Sequence, residues 1–218
     1  MSVAVAWSGG KDSALCLHRL RENGVEPVEL FTTGSADTDR TSMHGVRWRL
    51  VREQADALGV PHQRVDIPED AENEAYEETM AGLVADYADR GIQEIAFADL
   101  YLEDVRAYRE SNLENTPIDG RFPLWNEPTD EIAREFIDRG FEATLVCVTD
   151  ALEPYLGRTY DHDLLHELPD DVDPCGENGE FHTFVHDGPD FTQPIDIEHD
   201  DTVTRHLDDT TYHYLDLV

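Results

Sequence analysis

Residues 3–13 read VAVAWSGGKDS and predict a strand, a sharp turn and a helix. The run VAVAW is apolar and rich in β-branched residues, as in a buried strand. Gly9 and Gly10 allow a tight turn because glycine enters positive φ without penalty. Apolar residues then recur at helical spacing as far as Gly24, which is expected to end the helix. Such a turn aims free N–H groups and a helix dipole at one point, an arrangement that binds phosphate.

The turn carries the string SGGKDS (8–13) rather than either common nucleotide-binding pattern. It is neither a Walker A loop, G-x-x-x-x-G-K-[ST], nor a dinucleotide fingerprint, G-x-G-x-x-G. SGGKDS resembles the PP-loop of the N-type ATP pyrophosphatases, which split ATP between its α- and β-phosphates. The resemblance implies that Ser8, Ser13 and backbone amides hold the pyrophosphate part. It also implies that Lys11 offsets the phosphate charge and that Asp12 orients Mg²⁺. The alternative is a glycine-rich turn without a ligand.

The lysine content points to the same turn. The chain has 16 basic residues, and Lys11 is the only lysine among them. A chain that uses arginine everywhere else has placed its one flexible point charge in the loop where phosphate would bind.

Composition limits the class of protein. A length of 218 residues with 39% hydrophobic residues predicts one domain, or one domain with a smaller lobe. The net charge of −33, spread along the chain, is typical of proteins from a high-salt cytosol, where ions screen self-repulsion. This charge disfavours nucleic-acid binding, which needs basic surface patches. Three scattered cysteines argue against a disulfide framework or a zinc site. Because no signal peptide or long apolar span is visible, a cytoplasmic location is expected.

The first half of the chain alternates strands with helices. The predicted elements after the first helix are strands 27–33, 62–67 and 94–98 and helices 46–58 and 74–90. This alternation predicts a Rossmann-like α/β fold with a parallel sheet and helices on both faces. Ligands of such sheets bind beyond the carboxyl ends of the strands. The informative loops are therefore those that follow Trp7, Thr33, Ile67 and Ala98.

Two of these loops have unusual content. SMHGV (42–46) follows the second strand, and its alternative interpretation is a helix N-cap at Ser42 beside a surface His44. DLYLEDVRAYRE (99–110) follows the fourth strand and brings Asp104, Arg106 and Arg109 towards the phosphate end of the sheet. Its alternative is an exposed, salt-bridged helix start.

The second half predicts a smaller C-terminal α+β lobe, so that the domains are expected at 1–127 and 128–218. Its predicted elements are strands 121–125, 143–149 and 181–185, helices 129–139 (capped by Thr129) and 161–168, and short edge strands in the last thirty residues. The loop DPCGENGE (173–180) could hold a cation or an amine through Glu177 and Glu180. It could equally be a hairpin turn, since Asn178-Gly179 is a type I′ signal.

Six motifs together resemble the diphthine–ammonia ligase family of ATP pyrophosphatases. They are SGGKDS (8–13), SMHGV (42–46), ADLYLEDVRAYRE (98–110), FPLW (122–125), YLGR (155–158) and DPCGENGEFHTFV (173–185). The resemblance implies a HUP-type sheet and a two-step reaction that uses ATP and Mg²⁺. ATP adenylates the carboxylate of diphthine, a modified histidine of translation elongation factor 2, and pyrophosphate leaves. Ammonia then displaces AMP and forms the amide.

The same resemblance implies roles for individual residues. Those implied to bind the nucleotide are Ser8, Gly9, Gly10, Lys11, Asp12, Ser13, Thr32, Thr33, His44 and Asp99, with Asp12 also the metal ligand. Those implied to be catalytic are Lys11, Asp12, Asp104, Arg106, Glu177 and Glu180, and Glu103 would lie beside them at the α-phosphate. Elongation factor 2 and ammonia are the implied partners, and a homodimer is possible.

Three alternatives stay open. Short chains of this kind also occur in organisms not known to make diphthamide, where the acceptor could differ. Another PP-loop enzyme, such as one that thiolates tRNA, would need a persulfide cysteine, for which Cys175 is the candidate. A non-catalytic ATP sensor could be built on a similar sheet.

Overall fold

The computed structural model describes residues 2–35, 38–67, 73–207 and 210–218. The strands are β1 (Val3–Ala6), β2 (Glu29–Ser35), β3 (Arg40–Thr41), β4 (His62–Ile67), β5 (Glu94–Ala96), β6 (Asp119–Arg121), β7 (Glu142–Thr149), β8 (Phe181–Asp187), β9 (His199–Leu207) and β10 (Thr210–Leu217). The helices are α1 (Lys11–Glu22), α2 (Trp48–Leu58), α3 (Asn73–Asp89), α4 (Glu103–Leu113), α5 (Thr129–Asp138) and α6 (His162–Glu167), with a 3-10 helix at Asp150–Tyr155.

The chain divides into two compact units. The first unit comprises Met1–Ser8, Asp12–Asp39 and Val60–Asn126. The second comprises Gly9–Lys11, Arg40–Gly59 and Glu127–Val218.

The first unit contains a parallel sheet with the strand order β4-β2-β1-β5-β6. Counted along the parallel strands, this is the order 3-2-1-4-5 of the Rossmann fold, which confirms the predicted α/β class. Val3, Ala4 and Val5 of β1 are completely buried, as expected for the central strand of a sheet flanked by helices. The order reverses between β1 and β5, so the loops after these two strands flank the switch point where such sheets bind ligands.

The core of the first unit explains why α3 and α4 pack on the sheet. Tyr87 of α3 lies edge-on to Phe31 of β2, with 5.9 Å between ring centroids. Leu113 of α4 joins the same cluster beside Phe97. Burial of such aromatic and aliphatic groups contributes roughly 1.5–3 kcal/mol per side chain.

The second unit contains an antiparallel sheet with the order β8-β7-β10-β9. Six consecutive residues of β7, from Ala143 to Val148, are buried. Phe136 of α5 stacks on Phe141 at 4.8 Å and lies edge-on to Tyr160. The predicted α+β lobe is confirmed.

Three predictions for the second half are wrong in detail. Residues 121–125 are not a strand: β6 ends at Arg121, and residues 123–126 form a turn. Thr129 does not cap α5 but is its first residue, and its Oγ1 donates to Asp173 Oδ2 at 2.7 Å. The last thirty residues form long rather than short strands, and although β9 lies at the edge as predicted, β10 lies inside the sheet.

Two expectations about loops also change. A type I′ turn at Asn178-Gly179 would need positive φ at both residues. Gly179 has φ +83° but Asn178 is not in the left-handed region, so this turn is of another type. Ser42 does not cap α2, which begins at Trp48 with Arg47 as the N-cap residue. The loop after Ile67 lies outside the described residues. No helix in the described part of the chain is both long and apolar enough to cross a bilayer.

Candidate nucleotide site

The loop of residues 8–13 joins β1 to α1, as predicted. Gly9 has φ +81°, a conformation that favours glycine. In the first unit, Ser8 Oγ donates to Ser13 Oγ at 3.1 Å, which closes the loop on itself. Lys11 and Asp12 begin α1, so the positive end of the helix dipole lies in the loop. Backbone and hydroxyl groups of this kind can hold phosphate oxygens.

Residues 9–11 contact β8 of the second unit. The Gly9 carbonyl accepts from the Val185 amide at 2.9 Å, and the Lys11 amide donates to Thr183 Oγ1 at 3.0 Å. A Cβ at Gly10 would lie 2.7 Å from His44 Cε1 and 3.1 Å from the Thr183 carbonyl oxygen. Close packing therefore requires glycine at position 10. Backbone conformation does not, because the φ of Gly10 lies outside the left-handed region.

Gln54, a residue of α2, forms hydrogen bonds to the loop. Its side chain is completely buried, and Nε2 donates to the carbonyls of Gly9 at 2.9 Å and Val185 at 2.6 Å. Sequence reasoning missed this residue. The available signal was a glutamine on the apolar face of an amphipathic helix, where a buried amide must find partners.

The Lys11 side chain lies among aromatic rings of the second unit. It is 4% exposed, and its ammonium donates to the Cys175 carbonyl. Nζ lies 5.4 Å from the centroid of Phe181 and 5.8 Å from that of Tyr160, within cation–π range. The predicted contact between Lys11 and phosphate stays a prediction.

His44 and His182 form a tilted pair with 4.6 Å between ring centroids. His44 Nδ1 lies 3.0 Å from the Thr183 carbonyl, which requires a proton on Nδ1. Burial lowers the pKa of His44 to about 4; the bond to Thr183 opposes this effect and the charge of Lys11 adds to it. Burial, His44 and Lys11 lower the pKa of His182 well below its usual value. Both imidazoles are therefore neutral at pH 7, and His44 is not the surface histidine of the alternative interpretation.

The His44 loop is held by two arginines and Asp216 of β10. Arg40 donates to Asp216 Oδ1 at 2.9 Å and Oδ2 at 2.8 Å, and also to the Gly45 carbonyl at 2.9 Å. Arg47 donates to the same carboxylate from the other end of the loop. Gly45 packs on Tyr214, where a Cβ would lie 2.8 Å from the ring. The carboxylate thus fixes both ends of the segment that carries His44.

Asp99 follows β5 at the switch point of the parallel sheet. Burial raises the pKa of Asp99; Arg109, 3.6 Å away, opposes this effect and the charge of Asp12 adds to it. A divalent cation would relieve the repulsion between these two carboxylates. Mg²⁺ often uses one or two carboxylates together with substrate phosphates. The charge of Asp12 acts on Asp99, and a pair of carboxylates of this kind could hold Mg²⁺ only together with the phosphates of a nucleotide.

Comparison with known families decides the identity of the chain. A family model described as the diphthamide synthase N-terminal domain matches residues 1–115, and one described as the diphthamide synthase C-terminal domain matches residues 128–215. The chain belongs to the diphthamide synthase family. This family comprises ligases that use ATP through a PP-loop. No curated protein matches the chain.

The other site residues expected in a diphthamide synthase lie in different surroundings. Asp104 is exposed in the first turn of α4. Arg106 donates to Glu110 Oε1 at 2.8 Å, and its guanidinium lies 4.5 Å from Phe122 and 4.7 Å from Trp125. These contacts orient Arg106 across the aromatic residues of the FPLW motif. They also show the salt-bridged helix that the alternative interpretation expects.

Thr32 is a buried residue of β2 that contacts the neighbouring strands. Its Oγ1 donates to the Trp7 carbonyl at 2.6 Å and lies 2.9 Å from His62 Nε2. This hydroxyl connects the residue after β1, the middle of β2 and the first residue of β4. Thr33, one residue further along, is partly exposed.

The acidic loop of the diphthamide synthase C-terminal domain is ordered by its own carboxylates. Glu180 Oε1 accepts from the Asp173 amide and from Asn178 Nδ2, both at 3.0 Å. Asp173 Oδ1 accepts from the amides of Cys175 at 2.8 Å and Glu177 at 3.3 Å. Glu180 Oε2 is buried, and among the described residues nothing hydrogen-bonds to it. The loop fixes the Cys175 carbonyl that accepts from Lys11.

The predicted residues therefore form several separate groups, one in the second unit and two in the first. The group in the second unit is Gly9, Gly10, Lys11 and His44, with Gln54, His182 and Thr183 as additions that sequence reasoning missed. The groups in the first unit are Ser8 with Ser13 and Asp12 with Asp99.

Proposed function

We propose that the chain is an ATP-dependent amide ligase that adenylates the carboxylate of diphthine on elongation factor 2 and transfers ammonia to it. The observation that supports this most is the SGGKDS loop at the switch point of a Rossmann-order sheet, in a chain whose two halves match the two diphthamide synthase domains. We further propose that it acts in the cytoplasm, where its protein substrate works, and that 1–127 and 128–218 are its functional domains.

The first step makes an acyl-adenylate. A carboxylate oxygen of diphthine attacks the α-phosphorus of ATP, and the bond to the β-phosphate oxygen breaks to release pyrophosphate. Ser8, Ser13 and the amides at the start of α1 would bind the β- and γ-phosphates. Lys11 would neutralise their charge, for which its ammonium must leave the Cys175 carbonyl. Asp12 and Asp99 would hold Mg²⁺, which when bound stabilises the charge on the phosphates.

The second step makes the amide. The nitrogen of ammonia attacks the acyl carbon, AMP leaves, and one proton is lost from the nitrogen. Adenylation makes this possible because AMP is a far better leaving group than oxide. Glu177 and Glu180 would hold the cationic substrate or the incoming amine. Asp104 and Arg106 would face the α-phosphate, and Thr33 and His44 would flank the adenosine. The enzyme contributes positioning and charge neutralisation.

The state of the cysteines favours ammonia over sulfur transfer. Sulfur transfer needs a reactive thiolate. Cys175 is 2% exposed and its thiol donates to the Thr129 carbonyl at 3.2 Å. Burial raises the pKa of Cys16 and of Cys147 to about 12 in each case. Cys175→Ser should therefore keep full ligase activity, whereas loss of activity with retained folding would support the sulfur route.

The function is tested by incubating elongation factor 2 that carries diphthine with the protein, ATP, Mg²⁺ and ammonium, and measuring the mass of the modified histidine. We expect conversion of the carboxylate to the amide, dependent on ATP. Lys11→Ala should reduce the rate about a thousandfold or more by removing the phosphate counter-charge. Glu180→Gln should reduce it less. An unchanged rate in Glu180→Gln would remove the acidic loop from the mechanism, and no conversion by the wild type would overturn the assigned acceptor.

A further inference from the structure

Strand β9 is an open edge of the antiparallel sheet in the second unit. It pairs with β10 on one side, and no other strand of the described chain pairs with it. All nine of its residues are exposed, including Val203 at 46% and Leu207 at 45%. An exposed edge of this length presents a row of backbone donors and acceptors to any strand that can match it.

The sequence of β9, HDDTVTRHL, is complementary to itself when a second copy runs antiparallel. With Val203 facing Val203 of the other copy, Thr202 faces Thr204, and Asp201 faces Arg205. Asp200, which lies 3.9 Å from Arg47 in its own chain, faces His206 in the same arrangement. Directly opposed residues of antiparallel strands lie on the same face of the sheet and interact, and opposite charges there are favourable. The register therefore gives two Asp201–Arg205 pairs and a central pair of valines.

Two of the side chains that would meet, Arg205 and His206, contact residues of β10 within their own chain. The guanidinium of Arg205 lies 5.6 Å from the ring of Tyr214, which keeps it on the face of the sheet. Within the part of the chain that the structure describes, neither Asp201 nor Arg205 forms an ion pair. His206 Nδ1 lies 2.9 Å from Thr211 Oγ1, its cross-strand neighbour on β10, so its ring leans towards the paired strand.

We propose that β9 pairs antiparallel with β9 of a second copy around a two-fold axis at Val203, which joins two four-stranded sheets into one of eight strands. This proposal assigns the homodimer to one surface and one register. It is independent of the reaction proposed above.

Other registers are disfavoured by charge. A parallel arrangement places Asp201 against Asp201, and a shift by two residues in one direction places His199 against Arg205. A shift in the other direction leaves Asp201 opposite Leu207. Charges on an edge strand often serve only to repel other strands, and for that purpose their signs need not differ. In β9 the charges differ in sign, with Asp201 near the start of the strand and Arg205 near its end. The two-fold arrangement at Val203 satisfies both ends at once.

The net charge sets the conditions for the dimer. Each chain carries a formal charge of −33, so two copies repel one another at low ionic strength. Molar salt shortens the screening length to about 3 Å. It weakens the exposed Asp201–Arg205 pairs far less than it weakens this long-range repulsion. The dimer is therefore expected in molar salt and should dissociate as salt is removed.

The pairing is tested by sedimentation equilibrium in molar potassium chloride. Arg205→Asp places aspartates opposite each other and should raise the dimer dissociation constant about thirtyfold or more. Asp201→Arg should do the same by opposing two arginines. The double variant, with the two charges exchanged, should restore the dimer. Arg52→Asp on the exposed side of α2 makes the same charge change elsewhere and should leave the dimer intact.

A cysteine substitution tests the register itself. Val203→Cys should form an intermolecular disulfide under mild oxidation, because opposed residues have Cα atoms about 4.5–5.5 Å apart. Thr202→Cys is the matched control, since its two copies would lie about 8 Å apart. The three natural cysteines are buried. A wild type that is monomeric in molar salt, or a dimer that neither Arg205→Asp nor Asp201→Arg weakens, would overturn the proposal.

Discussion

The two sheets carry their candidate site residues in different ways. In the parallel sheet, the predicted binding groups lie in loops beyond the strands, as Ser8 follows β1 and Asp99 follows β5. In the antiparallel sheet, the groups come from inside an element, as Thr183 does from the middle of β8. The first arrangement depends on topology alone. The second arrangement depends on individual side chains that contact the glycine loop at residues 9–11.

Because the second arrangement depends on individual side chains, we expect a substitution in the second unit to be damaging where a matched substitution in the first unit is tolerated. Each of the following predictions pairs one residue of each unit. They are ordered from the largest expected effect to the smallest.

Gly10→Ala should reduce kcat/KM for ATP about tenfold to a hundredfold. Its Cβ would overlap His44 and the backbone of Thr183, and overpacking of this kind costs about 1–3 kcal/mol. Gly82→Ala in α3 of the first unit meets nothing within 4 Å. It should leave kcat/KM unchanged and stabilise the helix slightly. Steady-state kinetics of both variants measure the contrast, and equal effects would mean that packing against β8 does not shape the loop.

Gln54→Leu should lower the free energy of unfolding by about 2–3 kcal/mol, because the Val185 carbonyl loses its side-chain donor and the Gly9 carbonyl keeps only the Val185 amide. The matched control residue in the parallel sheet is Gln63 of β4. Its Oε1 is buried and accepts no hydrogen bond from the described residues. Gln63→Leu should be neutral or stabilising. Urea denaturation of both variants provides the measurement. A neutral Gln54→Leu would show that the amide does not support the loop.

Asp216→Asn should lower the free energy of unfolding by about 2 kcal/mol at pH 7. Burial alone would raise the pKa of Asp216, but hydrogen bonds from Arg47 and Arg40 outweigh it and hold the pKa well below its usual value. A lowered pKa stabilises the protein above the unfolded value near 4, and this contribution is lost as the pH falls. The wild-type advantage should therefore shrink below about pH 4.

The control for Asp216 is Glu29→Gln in β2. The carboxylate of Glu29 is 12% exposed, close to the 11% of Asp216, but it pairs with one arginine, Arg90, which is 42% exposed. Its loss should cost less than about 1 kcal/mol. Unfolding measured across the acid range for both variants tests the order, and a constant difference for Asp216→Asn at all pH values would contradict the assigned ion pairs.

The parallel sheet could be predicted from sequence because its signals are local. Apolar runs, helical spacing and the glycines that follow the helices fixed the order of elements, and the strand–helix alternation implied a parallel sheet. The loop SGGKDS was recognised for the same reason. Errors of one or two residues arose at helix starts such as Trp48, where no capping side chain marks the boundary.

The antiparallel sheet and its contacts could not be predicted in the same way. Thr183 lies 172 residues beyond the Lys11 amide that donates to it, and no spacing rule connects the two. Thr129 looked like an N-cap, but its hydroxyl bonds to Asp173 instead. The last thirty residues alternate too weakly to reveal that β10 lies inside the sheet. In each case long-range packing outweighed the local preference.

The central claim is that the loop at residues 8–13 holds the β- and γ-phosphates, so that ATP is cleaved between the α- and β-phosphates. It is tested most directly by supplying ATP labelled at the α-phosphate together with Mg²⁺, ammonium and diphthine-bearing elongation factor 2, and separating the products. The account predicts labelled AMP and free pyrophosphate in equal amounts, both lost in Lys11→Ala. Labelled ADP with orthophosphate would contradict it.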